Sequence, residues 1–117
     1  MPPPAHEEPA RCFDASSLRA RLFGDEELVR EILGEFLTEM DQHLELLRSD
    51  VAAQELTAVR RRAHTIKGAS GNVGAVALQQ LAQQMEHNPV GPAEIALMAG
   101  ALARLRATLH AEGLCAS

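Results

Sequence analysis

The stretch Asp25-Glu26-Glu27-Leu28-Val29-Arg30-Glu31-Ile32-Leu33-Gly34-Glu35-Phe36-Leu37-Thr38-Glu39-Met40-Asp41-Gln42-His43-Leu44-Glu45-Leu46-Leu47 decides the fold class. Val29, Ile32, Leu33, Phe36, Leu37, Met40, Leu44 and Leu47 recur in steps of three and four, forming one broad apolar stripe along a helix. Asp25 suits its N-cap, and Glu26 and Glu27 complement the helix dipole in the first turn. Ser49-Asp50 interrupts the stripe. Toward the N-terminus, Asp14 precedes a short helical stretch from Ala15 to Phe23. Gly24 closes it, a residue suited to the left-handed position after a helix end.

Toward the C-terminus a third helix is expected, with Leu56, Val59, Ala63, Ile66 and Ser70 on its inner face and fraying near Gly71-Asn72. A fourth carries Leu78, Leu81, Ala82 and Met85 and ends around His87-Asn88-Pro89. Gly91-Pro92 restarts the chain into a fifth helix marked by Ile95, Met98, Leu102, Leu105 and Leu109. No segment alternates with period two. The expected fold is all-α: an antiparallel up-and-down four-helix bundle with a short additional N-terminal helix across one end.

Composition narrows the function. A chain of 117 residues suffices for one domain with its own core. Three Phe with no Trp or Tyr argue against stacking platforms for single-stranded nucleic acid. A net charge of −5 gives no footprint for nucleic acid or an anionic membrane. No apolar run approaches the ~20 residues of a membrane span, and no signal-peptide core lies near Met1. The expectations are no nucleic-acid partner, no membrane contact by this domain and a cytoplasmic setting. Cys12 and Cys115, near opposite ends, read as incidental thiols. Residues 1–11 hold four of the six prolines and read as a flexible tail or linker, 12–113 as the bundle, and 114–117 as a C-terminal tail.

Charge is unevenly divided. Residues 1–58 carry a net −8, with thirteen acids and five arginines; residues 59–117 carry +3, with six bases and three acids. The excess of bases begins at Arg60-Arg61-Arg62, one turn before His64. At ~100° per residue, His64 lies roughly 120° from the centre of the third helix's apolar stripe, on a flank open to solvent. Lys67 and Gly68 follow at i+3 and i+4 on that flank, and Gly71 continues the line. Lys67 is the only lysine beside ten arginines, a compact ammonium suited to a phosphoryl group. Gly inside a helix costs ~1 kcal/mol relative to Ala, so Gly68 beside an exposed histidine points to close approach by another molecule. On the fourth helix Gln79, Gln83 and Glu86 form a polar edge that meets His64 if the two helices are antiparallel neighbours. An acceptor there for the imidazole Nδ1–H leaves Nε2 as the nucleophile.

His64-x-x-Lys67-Gly68-x-Ser70-x-x-x-Gly74-Ala75, then Leu78, Leu81 and Glu86, resembles a histidine-containing phosphotransfer (HPt) domain. Phe13-Asp14, Gly24-Asp25 and Phe36-Leu37 share the resemblance, which runs from Phe13 to Leu109. It implies that His64 is the phosphoacceptor, that Lys67 neutralises phosphoryl oxygens and that Glu86 hydrogen-bonds the imidazole, where many members have Gln. Gln83 is a secondary candidate for that role. Arg61, Gly68 and Gly71 are the implied partner-binding residues. Val73, where the family often carries Leu, is a departure that touches only packing. The implied chemistry is reversible phosphoryl exchange with the aspartate of a receiver domain, in a response regulator or hybrid kinase, the receiver supplying Mg²⁺. The sequence holds no Gly-rich phosphate loop and no acidic metal cluster, so no cofactor of its own and no independent kinase activity are expected. The Pro-rich start favours the HPt module of a hybrid sensor kinase, itself membrane-anchored or not, with a monomer as the default. The alternatives are a pseudo-HPt bundle that binds partners without chemistry, or a metal-binding bundle built on His43, His64, His87 and His110. The first conflicts with the intact His64, Lys67 and Gly68. The second lacks any Glu-x-x-His pair and spreads its histidines between two levels.

Overall fold

In the computed structural model, which describes residues 13–115, the chain forms α1 (Ser16–Arg21), α2 (Glu26–Ala52), α3 (Leu56–Val73), α4 (Val76–His87) and α5 (Pro92–Ala111). There is no strand among the described residues. Asp14 Oδ1 accepts from the Ser16 backbone N–H at 3.0 Å, and Asp25 Oδ1 from that of Leu28 at 3.1 Å, so both acids act at helix starts as their spacing predicts. Pro92 opens α5, where the Gly91 N–H donates to Glu94 Oε1 at 2.7 Å.

Four helices end the same way. Two consecutive amides bond back into the last turn around left-handed backbone: Phe23 and the expected Gly24 after α1, Gln54 after α2, Gly74 after α3 and Gly113 after α5. The expected first helix therefore stops at Arg21, and Phe23 itself takes φ 55° because the chain must reverse before Asp25. The interruption at Ser49-Asp50 ends only the stripe. The backbone stays helical to Ala52, and Asp50 turns its carboxylate onto Arg62 Nε at 2.8 Å, tying α2 to α3. Nor does α3 fray at Gly71-Asn72: it runs to Val73 because Gly74, at φ 82°, supplies the stop.

α2 to α5 form the antiparallel bundle. α3 packs on α2 and α4, α5 packs on α2 and α4, and α1 crosses one end against α2 and α3. The stripes meet in a core that includes Leu33, Met40, Leu47, Ile66, Leu78, Met98 and Leu105, each fully buried. Burial of each Leu stabilises the fold by about 1.5–3 kcal/mol. Two expected placements are corrected. Leu56 is exposed, because α3 has 18 residues and its neighbour α4 only 12, leaving the first turn of α3 beyond α4's reach. Leu114, read as tail, is 2% exposed: the turn at Gly113 folds it back into the core. The Pro-rich segment of residues 1–11 and Cys12 lie outside the described residues.

The turn between α3 and α4 is the tightest junction. The Asp14 N–H donates to the Gly74 carbonyl at 2.8 Å, and a Cβ at Gly74 would lie 1.8 Å from the Asp14 oxygen. Gly74→Ala is expected to lower unfolding free energy by about 2–3 kcal/mol through left-handed strain and this clash, as checked by urea denaturation.

Candidate phosphotransfer site

The Gly74-Ala75 turn sets the register of the α3–α4 hairpin. His64 lies ten residues before Gly74, and Glu86 eleven after Ala75; Gly71 and Gln79 lie three before and four after. The same offset of one puts each pair at one level, and both pairs meet. A Cβ on Gly71 would sit 2.7 Å from Gln79 Nε2, and His64 Nδ1 lies 2.7 Å from Glu86 Oε2. The polar edge of α4 thus faces the His64 flank of α3, as the helical phases predict.

His64 is open to solvent, with its side chain 69% exposed, while the Glu86 side chain is only 15% exposed. Lys67, at 29%, reaches back so that Nζ lies 2.5 Å from Glu86 Oε1. One half-buried carboxylate therefore bridges an imidazole and an ammonium. The Lys67 ammonium first, and the His64 ring second, hold the Glu86 carboxyl below the usual glutamate range, against a smaller opposing effect of desolvation. Ionised, Glu86 can only accept, so the proton between it and the ring belongs to Nδ1. That tautomer leaves the Nε2 lone pair free for nucleophilic attack.

Each remaining candidate has a definite place. Gln83 is exposed on α4 and is not the partner of the ring; Glu86 takes that position. Gly68 is exposed, and a Cβ there would meet nothing within 4 Å, so no internal contact calls for glycine. Gly71 differs, because its bare backbone accommodates Gln79 within the hairpin. The triple arginine splits: Arg62 is half-buried on Asp50, while Arg60 and Arg61 are exposed. Sequence reasoning singled out Arg61 and missed Arg60, whose i−4 spacing to His64 puts it on the same face. It also gave His43 no place of its own. His43 sits at the α2–α3 boundary with Nδ1 buried and without a hydrogen-bond partner. Burial first, then the nearby Arg62, lower its pKa, with Glu39 opposing. No group of three or more His, Cys, Asp or Glu able to hold a metal occurs among the described residues. No helix among them is long and apolar enough to cross a membrane.

The Hpt-domain family model matches residues 31–110, well over half of the chain and all of this site. The chain belongs to the Hpt-domain family. No solved structure matches it. As an HPt domain it has a phosphotransfer role in phosphorelay signalling, in which such domains work with receiver domains of response regulators.

The lowered Glu86 pKa gives a signed pH dependence. Because its folded-state value lies below its unfolded one, the stabilisation by Glu86 is fully present above the ordinary glutamate range and is lost as pH falls through the lowered value. The excess in melting temperature of the wild type over Glu86→Gln is expected to be largest near neutrality and to vanish in acid. Thermal unfolding of both proteins across that range checks it.

Proposed function

We propose that His64 is the phosphoacceptor of this HPt domain and exchanges its phosphoryl group reversibly with the aspartate of a receiver. The observation that carries this reading is an exposed ring whose Nδ1–H is committed to Glu86, so that Nε2 faces outward. In the forward step the Nε2 lone pair forms a bond to phosphorus as the P–O bond to the receiver aspartate breaks, the bonding pair leaving on the carboxylate oxygen. The transition state is loose and in line, so positioning and charge carry the catalysis. Lys67, one turn from the ring, supplies an ammonium for the phosphoryl oxygens. Mg²⁺ belongs to the receiver on this reading, and the domain needs no cofactor of its own.

Gly68 and Arg61, joined by Arg60, form the face on which the receiver docks. The open space over Gly68 supports this, since glycine there serves no contact within the fold. Gly71 adds to the same face while also admitting Gln79. On this reading the domain works as a cytoplasmic monomer and as the HPt module of a hybrid sensor kinase. A partner-binding bundle without chemistry is disfavoured by the joined His64, Glu86 and Lys67.

Two variants test the reading. His64→Gln is expected to abolish phosphoryl uptake from a phosphorylated receiver while the circular dichroism spectrum and melting temperature stay close to wild type; a labelled His64→Gln would refute the assignment. Gly68→Ala is expected to raise stability by about 0.5–1 kcal/mol, because alanine is the better helix former at an unobstructed position. The same variant should slow uptake from the receiver, so stability and transfer rate move in opposite directions in one protein.

A further inference from the structure

Glu86 occupies a position where either a carboxylate or an amide could hold the imidazole, and the choice has chemical consequences for the phosphorylated state. Attack through Nε2 leaves the ring with phosphorus on one nitrogen and a proton on the other, a cationic phosphoimidazolium. If Nδ1 then loses its proton to solvent, the ring becomes neutral and holds its phosphoryl group more durably. Departure of phosphorus would have to leave an imidazolate, a poor leaving group. If the proton stays, an oxygen of the receiver aspartate, or of water in hydrolysis, bonds to phosphorus as the P–Nε2 bond breaks with its electron pair returning to Nε2, and the ring leaves as neutral imidazole in the tautomer that began the reaction.

Resting on the assignment of His64 as phosphoacceptor, we propose that Glu86 is a positioning residue that keeps the Nδ1 proton on phosphorylated His64 and so biases the domain toward rapid discharge rather than storage. The geometry makes the carboxylate suited to this. Oε2 lies 2.7 Å from Nδ1, and the side chain is largely shielded between α3 and α4, where its charge is poorly screened by water. A negative charge at this distance favours the protonated ring; a neutral amide accepts the same hydrogen bond without that charge. The other charged groups near His64 lie on its own helix, Arg60 and Arg61 one turn before it and Lys67 one turn after, and a cation there opposes protonation of the ring. Glu86, contributed by α4, is the one anion in contact with the ring among the described residues.

Lys67 refines the bias. At rest its ammonium lies 2.5 Å from Oε1 and offsets part of the Glu86 charge. A phosphoryl group on Nε2 offers that ammonium a competing anion. As Lys67 turns to it, more of the carboxylate's charge falls on Nδ1–H. In the loaded site the Glu86 carboxylate thereby bears more directly on the Nδ1 proton, which favours the dischargeable form.

The test is the lifetime of the phosphohistidine. Wild type, Glu86→Gln and Lys67→Met are labelled with phosphoramidate, freed of donor, and followed by ³¹P NMR between about pH 5 and pH 9, bracketing ordinary imidazole titration. Glu86→Gln is expected to keep its fold and to hold the label longer, about tenfold near neutrality for each unit by which ring protonation moves. The pH at which its decay accelerates should shift downward, a change that mere loosening of the hairpin would not produce. Lys67→Met should retain the acceleration at a pH no lower than that of wild type. Equal lifetimes and equal pH profiles in wild type and folded Glu86→Gln would overturn the proposal. So would a Glu86→Gln that takes no label while wild type does, since Glu86 would then serve the attack. Failure of the wild type to be labelled on His64 would instead overturn the phosphoacceptor assignment on which the inference rests.

Discussion

The register of one helical hairpin governs the geometry of the candidate site. α3 and α4 are joined through Gly74 and Ala75, and the Asp14 carbonyl fills the space that a Gly74 side chain would need. A slip of one residue along α4 would rotate its polar edge by about 100° and carry Glu86 away from His64. The segment leading into α1 therefore does more than cover an end of the bundle. It closes the turn that brings the carboxylate to the ring about ten residues away.

The site reconciles two conflicting needs. On the proposed reading, a nucleophile that meets a macromolecular partner must be exposed, yet an exposed ring would ordinarily tumble and sample both tautomers. Here the exposed and shielded parts are divided between two helices. α3 presents the imidazole to solvent, and α4 holds it from beneath through a carboxylate shielded by the hairpin. The neighbours of Glu86 on α4 include Met85 and, one turn earlier, Ala82, both buried in the core, so the anchor stands on packed structure. An ion pair between two fully exposed side chains would contribute little order, because water screens it and the side chains lose entropy. A carboxylate contacting two partners at 2.5 and 2.7 Å is a stiffer device.

Much of this was legible along the chain because it depends on helical periodicity and local capping. The stripe from Val29 to Leu47, the cap at Asp25 and the outward phase of His64 need only 3.6 residues per turn and short-range hydrogen bonds. What local reading missed has a common physical origin. Leu56 carries the phase of a core residue but lies where α4 no longer reaches, and Leu114 follows a glycine that reads as a terminus yet turns the chain inward. Arg62 belongs to a charged run that reads as solvated, but Asp50, twelve residues earlier, meets it across the α2–α3 boundary. In each case neighbours distant in sequence decided the outcome.

The amino-acid sequence by itself determined that the chain is all-helical, that His64 stands off the apolar face, and that Lys67 and Gly68 flank it, because all of these follow from spacing within individual helices. Helical phase left three residues of α4 open and the resemblance implied Glu86; the tertiary structure decided that Glu86 meets the ring and that Lys67 shares it. Gln79, Gln83 and Glu86 are equivalent in helical phase, and the choice among them is made by the turn at Gly74, whose geometry depends on a segment more than fifty residues upstream.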